Sequence, residues 1–392
     1  MLGEVKQEDD FGDINFHFAL KLFRSIIHRD DDRPRRKVST VLVCHAVPDI
    51  IPFITAVGEI SDIHSLIIKP RSIHKPTLRV LEKKYSISDL TKESIALNTF
   101  QEDLTCKLPE NKYVIIDIGG YFAPLVHRRS NALNSQLLAV IEDTENGVQK
   151  YEAGGQFTAP VFHVARSALK EPEDHLVGQA IAFAAETLLR QVGTLLLHKK
   201  TCVFGYGKIG RSIVATLAAR GLPVTVCETD PMRAVQCLSH GYVVADQDTA
   251  LRDADVIFSA TGSKGLGVNA LRKIKNGAFV ASVTSADDEF DLTGFSDYMT
   301  TEKEKHRIVK VKNRHNKKIF YMLNGGNAVN FMYSANIGPF IQLIQAEILF
   351  ILNKITKNDS PLKPGCYQVS EEERRDIAGT WLTEYQKLSS IQ

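Results

Sequence analysis

Long apolar runs are missing from this chain. No window approaches about 18 uninterrupted apolar residues, so no membrane-spanning helix is expected. Neither sign of charge dominates. Forty-eight Lys and Arg against 46 Asp and Glu leave a formal net charge of +2, which makes no electrostatic case for nucleic acid or a membrane surface as partner. Its most basic stretch, 33–37, follows the acidic triplet 30–32 and reads as a solvated link before the first strand. The six cysteines (Cys44, Cys106, Cys202, Cys227, Cys237, Cys366) form no C-x-x-C pair. Two of them, Cys202 and Cys227, fall in apolar runs that read as buried strands, where a reduced thiol behaves as a small apolar residue. That excludes a disulfide framework and fits a reducing cytoplasm. The 12 histidines show neither H-x-x-x-H nor Cys/His ligand spacing, so no metal is expected. The acidic opening MLGEVKQEDDFGD has no apolar h-region, and no secretory signal is expected. Repeats and low-complexity segments are absent as well.

What is present is concentrated at 201–230, TCVFGYGKIGRSIVATLAARGLPVTVCETD. An apolar run through Cys202, Val203 and Phe204 suits a buried parallel strand. Gly205, Gly207 and Gly210 follow in G-x-G-x-x-G spacing, then a helical pattern through Ile213, Val214 and Leu217. A second β-branched run ends on Glu228. The first glycine makes a tight turn, the second lets a pyrophosphate approach the backbone, and the third packs helix on strand. The N–H groups at the helix start meet the phosphate charge. Glu228 lies about 20 residues past the glycines, where a carboxylate accepts the ribose hydroxyls of NAD and repels the 2′-phosphate of NADP. Strand, glycines, helix, strand and acid in that order point to NAD.

The rest of the chain alternates strands with helices, the mark of a parallel sheet. Residues 1–37 read as a polar arm with one helix at 16–27. Strands are expected at 38–44, 65–68, 113–116 and 137–141, with helices at 48–60 and from Pro76 onward. Ligands in such sheets bind beyond the carboxyl ends of strands, where His45, Asp117 and Asp143 stand. The charged segment KEPEDH leads into a long helix at 176–189 that reads as the connection between domains. Further strands at 256–260 and 278–283 follow, the first ending in Thr261-Gly262. The stretch EKEKHRIVKVKNRHNKK reads as charged and exposed, and a final strand covers 319–323. A helix at 338–352 is more apolar than one face requires. It is expected either between domains or at a subunit interface, which makes a homodimer or higher homo-oligomer the expected state.

With these residues laid out, the chain resembles the S-adenosylhomocysteine hydrolase family over nearly its whole length. FGYGKIGRS is similar to that family's glycine loop, CETDPMRAVQCLSHGY to its acid-ending strand and following helix, and TGSKG to its Thr-Gly strand end. VIIDIGG resembles its Asp-Asp-Gly-Gly strand end, IEDTENGV its Glu-Glu-Thr-Thr-Thr-Gly segment, GNAVNF the segment whose asparagine touches the nicotinamide, and CYQVSEEERRDIAGTWL its late helix. The resemblance implies an α/β fold in which a Rossmann NAD-binding domain, 178–325, is inserted into a second, Rossmann-like substrate domain built from 1–177 and 326–392. It implies that Gly205, Gly207, Lys208, Ile209, Gly210 and Glu228 hold the adenosine half of NAD. Thr144, Thr261, Gly262 and Asn330 would then approach the nicotinamide half. Lys170 and Asp174 would face the ribose hydroxyls of a nucleoside-like ligand, with His45 and Asp117 nearby and Asp143 and His175 as further substrate contacts. In that family, bound NAD⁺ oxidises the 3′-hydroxyl of the substrate ribose, the C4′ proton becomes acidic, a thiol is eliminated, water adds, and the hydride returns.

The departures gather on the substrate side. Ile118 stands where the family has the second aspartate of its strand end, and Asp143 where it has the second glutamate of the threonine-rich segment. Glu145 and Asn146 replace its later threonines, His175 the asparagine after the linker aspartate, and Ser285 a histidine. Ser334-Ala335-Asn336-Ile337 replaces its Gly-His-Pro-Ser recognition segment, and its basic and aromatic C-terminal tail has no counterpart before Gln392. The first expectation is an NAD-dependent enzyme that keeps the redox step at a sugar hydroxyl on another ligand. The second is a catalytically inactive NAD-binding regulatory or interaction protein, and the third an authentic hydrolase.

Overall fold

Short β-branched runs build one parallel sheet in the first unit and one mostly parallel sheet, with an antiparallel edge through its last three strands, in the second. The computed structural model describes residues 10–29, 34–88, 108–127, 136–284, 289–291, 295, 298–303, 307–329, 337–358 and 362–389. Asn330, Ser285 and residues 334–336 lie outside them. The first unit comprises Met1–Lys170 and Gly338–Gln392, the second Glu171–Ile337.

In the first unit, helix α1 (Asp10–Ile27) precedes β1 (Ser39–Ala46), α2 (Ile50–Ile60), β2 (Asp62–Ile73), α3 (Lys75–Glu82) and β3 (Ile87–Ser88). Then follow β4 (Tyr113–Asp117), α4 (Ala123–His127), β5 (Leu137–Glu142), α5 (Glu145–Ala153) and β6 (Pro160–His163). The second unit starts with α6 (Glu171–Gln191), β7 (Thr201–Phe204), α7 (Lys208–Ala219), β8 (Val224–Cys227), α8 (Pro231–Ser239) and β9 (Val243–Val244). It continues through α9 (Gln247–Asp253), β10 (Val256–Ser259), α10 (Val268–Lys273), β11 (Phe279–Ser282), β12 (Tyr298–Lys303), β13 (Ile308–Asn313) and β14 (Ile319–Leu323). The chain then returns to the first unit as α11 (Ile341–Lys357), β15 (Gly365–Tyr367) and α12 (Glu371–Ser389).

Sheet order in the first unit is β15-β6-β5-β4-β1-β2-β3, parallel throughout. The order reverses between β1 and β4, so the crevice that such a reversal opens lies beyond Ala46 and Asp117. The second unit runs β12-β13-β14-β11-β10-β7-β8-β9, with the same reversal between β7 and β10. Both units are α/β, and the second has the Rossmann arrangement.

Three expectations need correction. The N-terminal stretch is no polar arm, because Phe18, Leu22, Phe23, Ile26 and Ile27 of α1 are buried in the first unit's core. Their spacing makes one helical face, which packs against α2, α11 and α12. The charged stretch before the last strand is not simply exposed. It carries β13 and part of β12; Ile308 and Val311 lie on opposite faces of β13 and are buried in two different clusters, while Lys310 and Lys312 interrupt the apolar alternation on the Ile308 face. The dense apolar residues of α11 are covered inside the first unit, where Leu343, Ile344, Ala346, Ile348, Leu349, Ile351, Leu352 and Ile355 join its core. That helix therefore gives no argument for a homo-oligomer. Among the described residues, no helix is long and apolar enough to cross a membrane.

Leu349 is fully buried and Leu382 is 52% exposed. Leu349→Ala should cost about 2–5 kcal/mol by removing buried methyl groups and leaving a cavity. Leu382→Ala should stay within about 0.5 kcal/mol. Urea unfolding followed by circular dichroism compares the two directly.

Candidate functional site

Parallel strands end in N–H groups that have lost their ladder partners, and in the first unit buried acids collect them. Glu142, the last residue of β5, accepts from Gly119 N at 2.9 Å, Gly120 N at 3.0 Å, Thr144 N at 2.7 Å and the Thr144 hydroxyl at 2.6 Å. Beside it Asp117, at the end of β4, accepts from Phe122 N at 2.9 Å and from the Tyr151 hydroxyl at 2.7 Å. Both acids are fully buried. Burial raises Asp117 above its ordinary value, with the Phe122 and Tyr151 hydrogen bonds and Lys69 opposing. Burial and then the Asp117 carboxyl push Glu142 up from 4.5 to about 8 against its own donors. Two acids in one dry place cannot both ionise at low cost.

The sequence reading placed Thr144 at the nicotinamide. Its hydroxyl donates to Glu142 and accepts from Gly147 N at 3.1 Å, capping α5, so both functions serve the strand end. Sequence reasoning missed Glu142; its only signal was an acid at the last position of a β-branched run.

Around these acids stand the polar side chains that the sequence singled out. Lys170 closes a short 3₁₀ turn, is only 8% exposed, and donates to Asp143 Oδ1 at 2.9 Å. Glu347 of α11, fully buried and raised by that burial, accepts from Arg374 at 3.1 Å, and its charge also acts on Lys170. His45, near the end of β1, hydrogen-bonds the Ser72 hydroxyl through Nδ1. Burial first, then the Lys69 and Lys170 ammoniums, lower His45 to about 3. Its imidazole is therefore neutral at physiological pH and serves as a hydrogen-bonding group, not as a proton donor. Lys69, which the sequence reading passed over, reaches from β2 and donates to the Ile118 carbonyl at 3.1 Å.

The second unit holds the glycine loop. Gly205 turns with φ +91°, where a Cβ would meet the Ala260 carbonyl oxygen at 2.7 Å. A Cβ on Gly210 would lie 2.1 Å from the Gly205 oxygen, so helix α7 could not close on β7 with any other residue there. Gly207 caps α7, and the only side chain near its missing Cβ is Arg233, at 3.7 Å. Ile209 packs against the second unit's core. Glu228 closes β8, accepting from Tyr206 N at 2.6 Å, Thr229 N at 2.7 Å and Asp230 N at 2.8 Å. Oε1 takes two of these donors and Oε2 one, so Oε2 has a lone pair left for a ribose hydroxyl. Turn, open backbone, helix start and acid fit the adenosine half of NAD.

The other expected residues are placed differently from one another. Asp174, buried on the first turn of α6, has its Oδ2 3.7 Å from Lys208 Nζ at the start of α7. His175 exposes its ring beside Gln179, at 3.0 Å, and gives its carbonyl to the Ser212 hydroxyl at 2.5 Å. Thr261 and Gly262 are held by Glu289, a fully buried acid absent from the sequence-derived site. Glu289 accepts from Thr261 N at 3.1 Å, the Thr261 hydroxyl at 2.9 Å, Gly262 N at 3.0 Å, the Ser259 hydroxyl at 2.7 Å and the Thr284 hydroxyl at 2.8 Å. The Thr261 hydroxyl also accepts from Ser263 N and Gly265 N, so it fixes the loop.

Glu142 gives a pH dependence with a definite sign. Its folded value lies above its ordinary 4.5, so the folded chain holds a proton that the unfolded chain releases. The stabilisation is complete below about 4.5 and is lost as pH rises toward 8. Melting temperature should therefore fall between about pH 5 and pH 8, and Glu142→Gln should flatten that slope.

Residues 183–338 match the family model described as S-adenosyl-L-homocysteine hydrolase, NAD binding domain. The adenosylhomocysteinase of Thermoplasma volcanium is 24% identical over 367 residues, covering 91% of this chain and 88% of its own length. That of Thermotoga maritima is 26% identical over 280 residues, covering 70% and 69%. The S-inosyl-L-homocysteine hydrolase of Methanocaldococcus jannaschii is 27% identical over 285 residues, covering 71% and 68%. With a glycine loop and ribose acid that fit NAD, and with this match across the domain that carries them, residues 183–338 form an NAD-binding domain of the S-adenosyl-L-homocysteine hydrolase type, with NAD as the cofactor.

Proposed function

We propose that this chain oxidises a sugar hydroxyl of a nucleoside-like small molecule, held at the strand ends of its first unit. The observation that carries the reading is the buried Lys170–Asp143 pair, 2.9 Å apart at the carboxyl ends of β5 and β6. A carbinol loses a hydride readily only if its hydroxyl proton leaves as well. Lys170, an ammonium paired with Asp143 at rest, is the group placed to take that proton once it has lost its own, and Asp143 accepts a hydrogen bond from the neighbouring hydroxyl and so orients the ring. Neutral His45 adds a hydrogen-bonding edge without competing as an acid. NAD supplies the hydride acceptor. The relatives are named for S-adenosyl and S-inosyl substrates, which differ in the base and share the nucleoside, and this supports a nucleoside-like ligand. Ile118 and His175 in place of the family's aspartate and asparagine support a ligand other than S-adenosylhomocysteine.

Two variants separate binding from chemistry. Glu228→Ala removes the ribose acceptor and should weaken NAD binding about tenfold or more by calorimetry; unchanged affinity overturns the ribose role. Lys170→Met should lower NADH formation at 340 nm by about 100-fold or more while NAD affinity holds. The ligand panel is adenosine, S-adenosylhomocysteine, other nucleosides and free sugars. Bound NAD with a flat trace for every ligand overturns the enzyme reading and leaves an NAD-binding protein without turnover.

A further inference from the structure

A buried acid behind Lys170 has no part in the reaction proposed above. Glu347 lies midway along α11 and is fully buried. A carboxylate in such a place is costly unless its oxygens are filled. Arg374 of α12 fills one, its Nε donating to Glu347 Oε1 at 3.1 Å, while the same guanidinium donates to Gln368 Oε1 at 2.8 Å. Glu347 Oε2 is buried without a hydrogen bond among the described residues. Burial raises Glu347 above its ordinary 4.5, and the Ser167 hydroxyl, Arg374 and the Lys170 ammonium oppose the rise. Ser167 is the anchor of the turn Ala168–Lys170. It is fully buried, its N–H donates to Val164 O at 3.0 Å, its hydroxyl accepts from Leu169 N at 3.2 Å and its carbonyl from Lys170 N at 3.2 Å. Glu347 thus acts both on the residue that shapes the turn and on the ammonium that the turn presents.

We infer that Glu347 is a positioning residue for Lys170: tied down by Arg374, it steadies the Ser167 turn and sets the pH at which the Lys170 ammonium becomes a free amine. Its bearing on turnover rests on the reading of Lys170 as the group that takes the hydroxyl proton. Asp143, the partner at 2.9 Å, turns to a ligand hydroxyl in that reading. Glu347 is sealed from ligand and solvent, so its charge stays on Lys170 whether or not Asp143 is engaged. Other charged and titratable groups act on the pair as well: Arg374 from α12, Asp143 from the end of β5 and His45 from β1. Exchanging Glu347 for glutamine leaves all of them in place. A nearby negative charge favours an ammonium, so removing this one makes Lys170 release its proton at lower pH. By the same coupling, removing the ammonium makes Glu347 harder to ionise.

The test uses the full chain loaded with NAD and labelled with carbon-13 at lysine Cε, whose chemical shift reports the ammonium; Lys170→Arg assigns the resonance. In Glu347→Gln, which keeps the side chain's size and removes its charge, the Lys170 midpoint should fall by about half a pH unit or more, roughly a threefold change in the proton equilibrium. Glu347→Asp keeps the charge and should keep most of the original midpoint. The acid limb of NADH formation against pH, followed at 340 nm with the nucleosides and sugars of the panel, should move the same way in Glu347→Gln. A purely structural Glu347 would lower the melting temperature of that variant and leave the Lys170 midpoint in place; this result overturns the inference, as does a midpoint that rises. If Glu347→Gln does not fold, the coupling is read from the other side. In Lys170→Met the Glu347 carboxyl, labelled with carbon-13 at glutamate Cδ and assigned with Glu347→Asp, should titrate at higher pH, and an unmoved value overturns the inference. A shifted Lys170 midpoint with no NADH formed from any panel member sustains the hold of Glu347 on Lys170 while removing the redox reading, so the two fail separately.

Discussion

A backbone N–H at the end of a parallel strand needs an acceptor where little water reaches, and this protein answers with buried carboxylates. Glu142 gathers the N–H groups of Gly119, Gly120 and Thr144. Glu289 does the same for Thr261 and Gly262, and the half-buried Glu228 for Tyr206, Thr229 and Asp230. Each orphaned donor would cost about 1–3 kcal/mol if left unmade, so these acids decide whether the loops close at all. Buried charge is tolerable only when its lone pairs are filled, and at Glu142 and Glu289 they are filled by four and five donors. The loops they fix are the ones at the two reversals of strand order. The same device therefore stabilises the fold and shapes both candidate sites.

The same device gives the two threonines a role in holding the loops. Thr144 and Thr261 sit at strand ends, which made both look like ligand contacts. In the fold each hydroxyl donates to the local acid and accepts from the backbone of the following turn.

What could be read from sequence follows the range of the interactions. The glycine loop was legible because its requirements are local: a turn, a close approach and a helix start fall within a few residues, and Glu228 is one strand further on. The parallel sheets were legible because β-branched runs recur between helices. Lys69 and Glu289 were not, since each acts on a loop that is distant in sequence and becomes adjacent only through strand order. The hairpin of β12 and β13 was obscured because Ile308 and Val311 are buried on opposite faces of β13, with Lys310 and Lys312 breaking the alternation on the Ile308 face. For α11, composition gave the amount of apolar surface but not what covers it. Its partners α1, α2 and α12 come from both ends of the chain.

The two units differ in how freely their chemistry can change. In the second, Gly205 and Gly210 are confined by backbone atoms at 2.7 and 2.1 Å, so substitution there breaks the turn before it alters any ligand preference. In the first, the backbone of the β4 loop is held by Glu142, through its N–H groups, independently of the side chain at position 118. An aspartate or an isoleucine can follow Asp117 without disturbing Gly119 and Gly120. The residue at position 118 can thus change its charge while the loop that carries it stays in place. That separation is the physical reason a strict glycine motif and a variable strand-end loop can coexist in one chain.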